Sequence, residues 1–195
     1  AASGNLEVAG LESGLRTMGS VRLETTDLSR FSALAGRPLG GSATIALQGS
    51  VSPLSGAIDA IAEVEGTGLS IGVAEVDNLL RGQSTVRMSV LRDETGTNLR
   101  SLDLTAGTLT ATASGKLASS GSALTAEVSL ADLSALGSPY GGSARLAAEF
   151  SGTPENGRLS VDGTGRNLRV GSPAADRILA GNSTLSARIG LREGR

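Results

Sequence analysis

The stretch Leu102-Asp103-Leu104-Thr105-Ala106-Gly107-Thr108-Leu109-Thr110-Ala111-Thr112-Ala113 decides the fold class. Leu102 and Leu104, and after Gly107 Leu109, Ala111 and Ala113, alternate with Asp or Thr. A period of two gives an extended chain one apolar and one polar face. Gly107 supplies the turn between two such strands. Strands with one wet face belong to antiparallel sheets.

The same alternation runs toward both ends of the chain. Val86, Met88 and Val90 alternate with Thr85, Arg87 and Ser89, and Ile58, Ala60, Ala62 and Val64 with Asp59, Ile61 and Glu63. Leu124, Ala126, Val128 and Leu130 alternate with Thr125, Glu127 and Ser129. Polar or glycine-bearing breaks separate the strands, as at Gly49-Ser50, Asp93 to Gly96, Ser119 to Gly121 and Pro154 to Gly157. The pattern predicts an all-β protein of about twelve strands, a strongly curved, mostly antiparallel sheet forming an open groove, with a few short helices. The short helices fall where the period changes. Asp27 to Leu34 places Leu28, Phe31 and Leu34 at helical spacing, with Thr26 or Asp27 to cap it and Gly36 and Pro38 to end it. Val76 to Leu80 and Ala175 to Leu179 read as helical turns. All are expected to seal an end or edge of the sheet.

Composition fits a lined sheet better than a filled core. Among 195 residues there are 28 Gly, 2 Phe, 1 Tyr and no Trp, so few large side chains exist to fill a closed interior. His and Cys are absent. That excludes histidine-based triads, thiol nucleophiles, disulfides and most zinc and iron sites. Absence of Cys fits an oxidising compartment in which stability does not rest on disulfides. A net charge of −2 provides no long-range attraction for nucleic acid or anionic lipid headgroups.

The sequence repeats itself. Asp27-Leu28-Ser29 returns as Asp132-Leu133-Ser134, and Gly40-Gly41-Ser42-Ala43 as Gly141-Gly142-Ser143-Ala144. Gly66-Thr67-Gly68 is matched to Gly163-Thr164-Gly165, and Asp77 to Thr85 to Asp176 to Thr184. The offsets are 105, 101, 97 and 99 residues. The expected organisation is a preceding unit's tail over 1–26, a unit over 27–131, and an incomplete second unit over 132–195. Both ends then fall in mid-repeat, as in an excerpt of a longer array.

Local motifs favour bland readings. Gly66-Thr67-Gly68 and Gly163-Thr164-Gly165 lack the spacing and following helix of a dinucleotide loop and read as strand bends. Asp162-Gly163 with Gly165 lacks the tandem nonapeptides of a calcium β-roll. Glu63, Glu65, Asp93, Glu94 and Glu149 are the candidates for paired-carboxylate hydrolysis, but they fall on polar faces or in turns. Asn182-Ser183-Thr184 has the form of a glycosylation acceptor and reads as a repeat position opening a strand. The scattered arginines lack the aromatic platform of single-strand nucleic-acid binders. No catalytic residue, metal ligand or cofactor is expected.

The order Asp-Leu-Ser, Gly-Gly-Ser-Ala, Asp-x-Leu-Leu-x-Gly-x-Ser-Thr and Leu-Asp-Leu-x-x-Gly-x-Leu-Thr-Ala-Thr-Ala-Ser-Gly-x-Leu resembles the periplasmic repeat region of the TamB family. That family is the AsmA-like inner-membrane component of the translocation and assembly module. Asp176 to Thr184 and Leu102 to Leu117 carry most of the resemblance. It implies a long β-rich body anchored in the inner membrane of a Gram-negative cell, crossing the periplasm like a bridge-like lipid-transfer protein. It also implies a partner, a TamA-type Omp85 outer-membrane barrel, met through other parts of the full-length chain. This chain shows neither the amino-terminal anchor nor the carboxy-terminal domain of a full member. On this reading phospholipid acyl chains ride on apolar strand faces. The candidate lining is Ile45, Leu47, Ile58, Val64, Val86, Met88, Val90, Leu102, Leu104, Leu109, Leu124, Val128, Leu130, Leu146, Phe150, Leu159, Val161, Leu185 and Ile189. The alternatives are a structural or adhesive β-solenoid of a secreted protein, and a glycan-processing enzyme. An open lined surface, a filled interior and a carboxylate-lined cleft distinguish the three.

Overall fold

Period-two alternation becomes eleven strands in the computed structural model, which describes residues 2–11, 14–153 and 156–192. They are β1 (Ala2–Leu11), β2 (Gly14–Thr25), β3 (Gly40–Ser52), β4 (Ala57–Ser70), β5 (Gln83–Asp93) and β6 (Gly96–Ala106). β7 (Leu109–Leu117), β8 (Ser122–Leu130), β9 (Tyr140–Gly152), β10 (Asn156–Val170) and β11 (Asn182–Arg192) complete them. One sheet holds all eleven in chain order, and each neighbouring pair is antiparallel. β1 and β11 are the two edges and do not pair, so the sheet is open. About twelve strands were expected, and eleven lie among the described residues. Pro154 and Glu155, part of one expected break, lie outside them.

Because the sheet is a meander, its connections alternate between two rims. One rim carries tight turns. The other carries the helical pieces: the 3-10 turn Leu28–Phe31 and α1 (Ser32–Ala35) after β2, and α2 (Ala74–Leu80) after β4. The 3-10 turn Leu133–Leu136 follows β8, and α3 (Pro173–Ile178) follows β10. Asp27 accepts from the Ser29 N–H at 2.9 Å and Asp132 from the Ser134 N–H at 2.8 Å, which caps both 3-10 turns. Asp77 Oδ1 accepts from the Ile71 N–H at 2.7 Å, and Asp176 Oδ1 from the Val170 N–H at 2.8 Å. Each ties its helix back to the strand before it.

Sealing by these pieces is uneven. Leu79 on α2 is buried, but Leu34 on α1 is 88% exposed. A four-residue helix ending at Gly36 (φ 65°) is too short to turn an apolar stripe onto the sheet. The expectation that Asp27 to Leu34 seals an edge is corrected accordingly.

The repeat is structural as well. Gly41 (φ 92°) and Gly142 (φ 88°) occupy matching bulges, each so close to the facing backbone that a Cβ has no room. Gly72 packs on Pro38 as Gly171 packs on Pro139. One match needs correction. Gly66 pairs with Ser84 and Gly165 with Ser183, so Gly66-Thr67-Gly68 corresponds to Gly165-Arg166-Asn167, an offset of 99. A slip of two keeps every side chain on its own face, which is why the alternation alone did not expose it. The offset therefore falls from 105 to 101 where α1 has no counterpart, and from 101 to 99 at the β3–β4 turn.

Bulges interrupt β3–β4, β5–β6, β6–β7 and β9–β10 and bend the strands. Ala126 and Ala148 are half-buried, while Ala123 and Ala147 on the opposite face of the same strands are exposed. Side chains of one size are shielded only on the concave side of a curled sheet. Among the described residues, the buried apolar set is Ala43, Leu79 and Ala106.

Candidate functional site: the apolar sheet face

Directly opposed residues of an antiparallel pair point to the same face, so the registers map that face completely. One row runs Leu23, Ile45, Val64, Val86, Leu104, Ala111, Val128, Leu146, Gly163 and Leu185 across β2 to β11. The next runs Val21, Leu47, Ala62, Met88, Leu102, Ala113, Ala126, Ala148, Val161 and Ala187. A third runs Gly49, Ala60, Val90, Leu99, Gly115, Leu124, Phe150, Leu159 and Ile189. Leu109 and Leu130 pair toward the helical rim, and Ile58 pairs with Val51 toward the turn rim. Every candidate lining residue therefore shares one face.

No charged or polar side chain enters those three rows. Rows two residues apart are separated by ~6.8 Å, so three rows form a band ~14 Å tall between outer centres. Among the described residues no second layer covers it. Leu47 is 45% exposed, Leu146 38%, Leu185 58% and Ile189 48%. Polar groups appear on this face only beyond the band, as at Arg92, which opposes Ile58.

The helical rim is roofed between β4 and β9. The Leu79 carbonyl of α2 lies beside Gly107, in the β6–β7 turn, and Ala106 below it is 0% exposed. Asn78 Nδ2 donates to the Leu136 carbonyl at 3.0 Å, and Arg81 donates to Asn78 Oδ1 at 2.5 Å. No sequence motif announced this bridge, because Asn78 and Leu136 stand 58 residues apart. Ser84 lies on the same rim, buried, with its hydroxyl unpartnered. Leu69 and Leu168 were also missed. The bulges fold them back over Gly66 and Gly165, where no Cβ stands in the way.

The opposite face is polar. Arg87 Nε meets Glu63 Oε1 at 2.9 Å across β4 and β5, and Arg100 pairs with Asp59. Glu65 and Glu149 stand exposed on this face, and Glu94 is exposed in the β5–β6 turn. Asp93 accepts from the Thr95 N–H and hydroxyl, both at 2.7 Å. Those bonds hold its carboxyl below the usual carboxylate range. Hydrogen bonding to the Ser29 side chain, and then to its backbone N–H, does the same for Asp27, as Ser134 does for Asp132. Ionised carboxylates fixed in turns serve as caps. No group of three or more potential metal ligands occurs among the described residues. Nor is any helix there long and apolar enough to cross a membrane.

No protein-family model, curated protein or solved structure matches the chain.

Proposed function

We propose that this chain is a β-groove segment of a TamB-like bridge that carries phospholipid acyl chains across the periplasm of a Gram-negative cell. The full-length protein is anchored in the inner membrane. The associated process is outer-membrane biogenesis and autotransporter assembly. Contact with a TamA-type Omp85 barrel belongs to other parts of that protein. The supporting observation is the uncovered apolar band, three rows tall across β3 to β11.

The rows run across the strands, so a lipid following them moves along the long axis of the sheet. Each buried methylene gains ~0.8 kcal/mol, and a 16-carbon chain roughly 12 kcal/mol against water. Movement also requires a profile without deep traps. Val, Leu, Ile, Met and Ala repeated from strand to strand supply one, with headgroups at the wet open edge. A structural solenoid stacks its apolar side chains in a filled interior, whereas these rows remain half-exposed. No step of this function calls for a catalytic group.

Native mass spectrometry of gently purified protein, followed by lipid extraction, tests the reading. Co-purified phospholipid is the expected result. Protein that carries none, and takes up none from phospholipid vesicles, overturns it.

A further inference from the structure

The polar face holds a hollow in each repeat, built on the same strand positions but with opposite charge. In the second unit four strands contribute. Ser129, Arg145, Thr164 and Thr184 form one cross-strand row, and Ser143, Arg166 and Asn182 the next. They line a hollow of about 640 Å³ with no carboxylate in its wall. In the first unit the matching rows read Glu24, Thr44, Glu65, Thr85 and Ser42, Thr67, Gln83. Those residues line a hollow of the same size. Glu24 and Glu65 of the first unit stand where the second has Ser129 and Thr164, and Thr44 and Thr67 stand where it has Arg145 and Arg166.

Neither Arg145 nor Arg166 enters an ion pair or side-chain hydrogen bond among the described residues. Glu127 and Asp162 stand diagonal to Arg145 on the two neighbouring strands, on the side away from Arg166, and neither forms an ion pair with it. The two arginines occupy diagonal positions on adjacent strands, about 7 Å apart at the backbone, with four hydroxyl residues around them. Two like charges so close repel, and a bound anion turns that repulsion into attraction. Guanidinium groups match the oxygens of a phosphate in bidentate fashion, and the hydroxyls donate to the remainder.

The rim of this hollow carries one hydrogen bond more than its counterpart. Asn167 takes φ 51°, the one described non-glycine residue with positive φ. Its N–H donates to the Gly181 carbonyl at 2.7 Å, and its Oδ1 accepts from the Gly181 N–H at 3.1 Å. In the first unit Gly68 makes only the backbone bond, to the Gly82 carbonyl at 3.1 Å. The additional bond holds the end of β10 against the start of β11, which fixes Arg166 beside Asn182.

We infer that the hollow between Arg145 and Arg166 binds a phosphate group, carried by a small phosphomonoester or by a phospholipid headgroup. The site lies on the opposite face from the apolar band and does not depend on the lipid-carrying reading.

Calorimetric titration with glycerol phosphate, and co-sedimentation with phosphatidylglycerol against phosphatidylcholine vesicles, tests the site. The double variant Arg145→Gln, Arg166→Gln is expected to lose at least ten-fold in affinity, the scale of one lost charge-assisted contact. The double variant Arg158→Gln, Arg188→Gln removes equal charge from the same face outside the hollow and is expected to bind as the parent does. All four side chains are exposed, and unchanged circular dichroism and thermal midpoint verify the fold of each variant. Arginine-dependent binding of glycerol phosphate assigns the site to a small phosphomonoester. Arginine-dependent binding of phosphatidylglycerol vesicles alone assigns it to a lipid headgroup. No binding in either assay, or equal loss in the two double variants, overturns the proposal.

Discussion

Val128 and Leu146 oppose each other in the row of the apolar band nearest the helical rim, and Leu146 is 38% exposed. An arginine at 146 extends along the open face and keeps its guanidinium in water. Leu146→Arg is therefore expected to change stability by no more than ~1 kcal/mol in thermal unfolding, while photo-crosslinking to lipid beyond that strand is lost. In a close-packed interior the same change buries an unpaired charge and costs several kcal/mol. An unfolded variant would count against an open groove. The capping aspartates make a second, pH-dependent prediction. Their carboxyls are held below the ordinary range by hydrogen bonds from Ser29 and Ser134. The folded state thus keeps them ionised more firmly than the unfolded chain does. The stability this brings is complete above the ordinary carboxylate range and fades as pH falls through the lower folded values. Denaturant titrations between about pH 6 and pH 2 should show a shallower acid limb in Asp27→Asn, Asp132→Asn than in the parent.

Strands were legible because their signal is local. Ala111 between Thr110 and Thr112 already states which side faces inward, and the pairing of Leu104, Ala111 and Val128 follows from that. Helical connectors were legible in place but not in role. Nothing near Leu34 tells that it stays exposed while Leu79, in a helix only seven residues long, is buried. The difference lies in what each meets across the sheet. α2 reaches over the β6–β7 turn to the 3-10 turn Leu133–Leu136, whereas α1 has no such neighbour among the contacts described for it. Asn78→Ala removes the Asn78–Leu136 hydrogen bond of that bridge. A loss of ~1 kcal/mol is expected, with faster amide exchange confined to α2 and the Leu133–Leu136 turn. Exchange rising evenly over the sheet would assign Asn78 no bridging role.

Among the described residues every strand pairs only with those beside it in sequence, so the molecule behaves as a one-dimensional stack. Amide exchange should follow position in that stack, slowest in β5 to β7 and fastest in β1 and β11, whose outer edges are unpaired. Uniform protection from edge to edge would point to a single cooperative block instead. The spacing of the stack sets a ratio of chain to distance. Six inter-strand steps separate β3 from its counterpart β9, about 29 Å at the usual strand spacing. Gly41 and Gly142, at the same point of the two units, stand 101 residues apart. An α-helix covers that distance with about 20 residues. A chain that advances so slowly is poorly suited to mere reach and well suited to making wall. Each added unit lengthens the wall by the same step and leaves its profile unchanged, so the span can be matched to any gap in increments of one repeat.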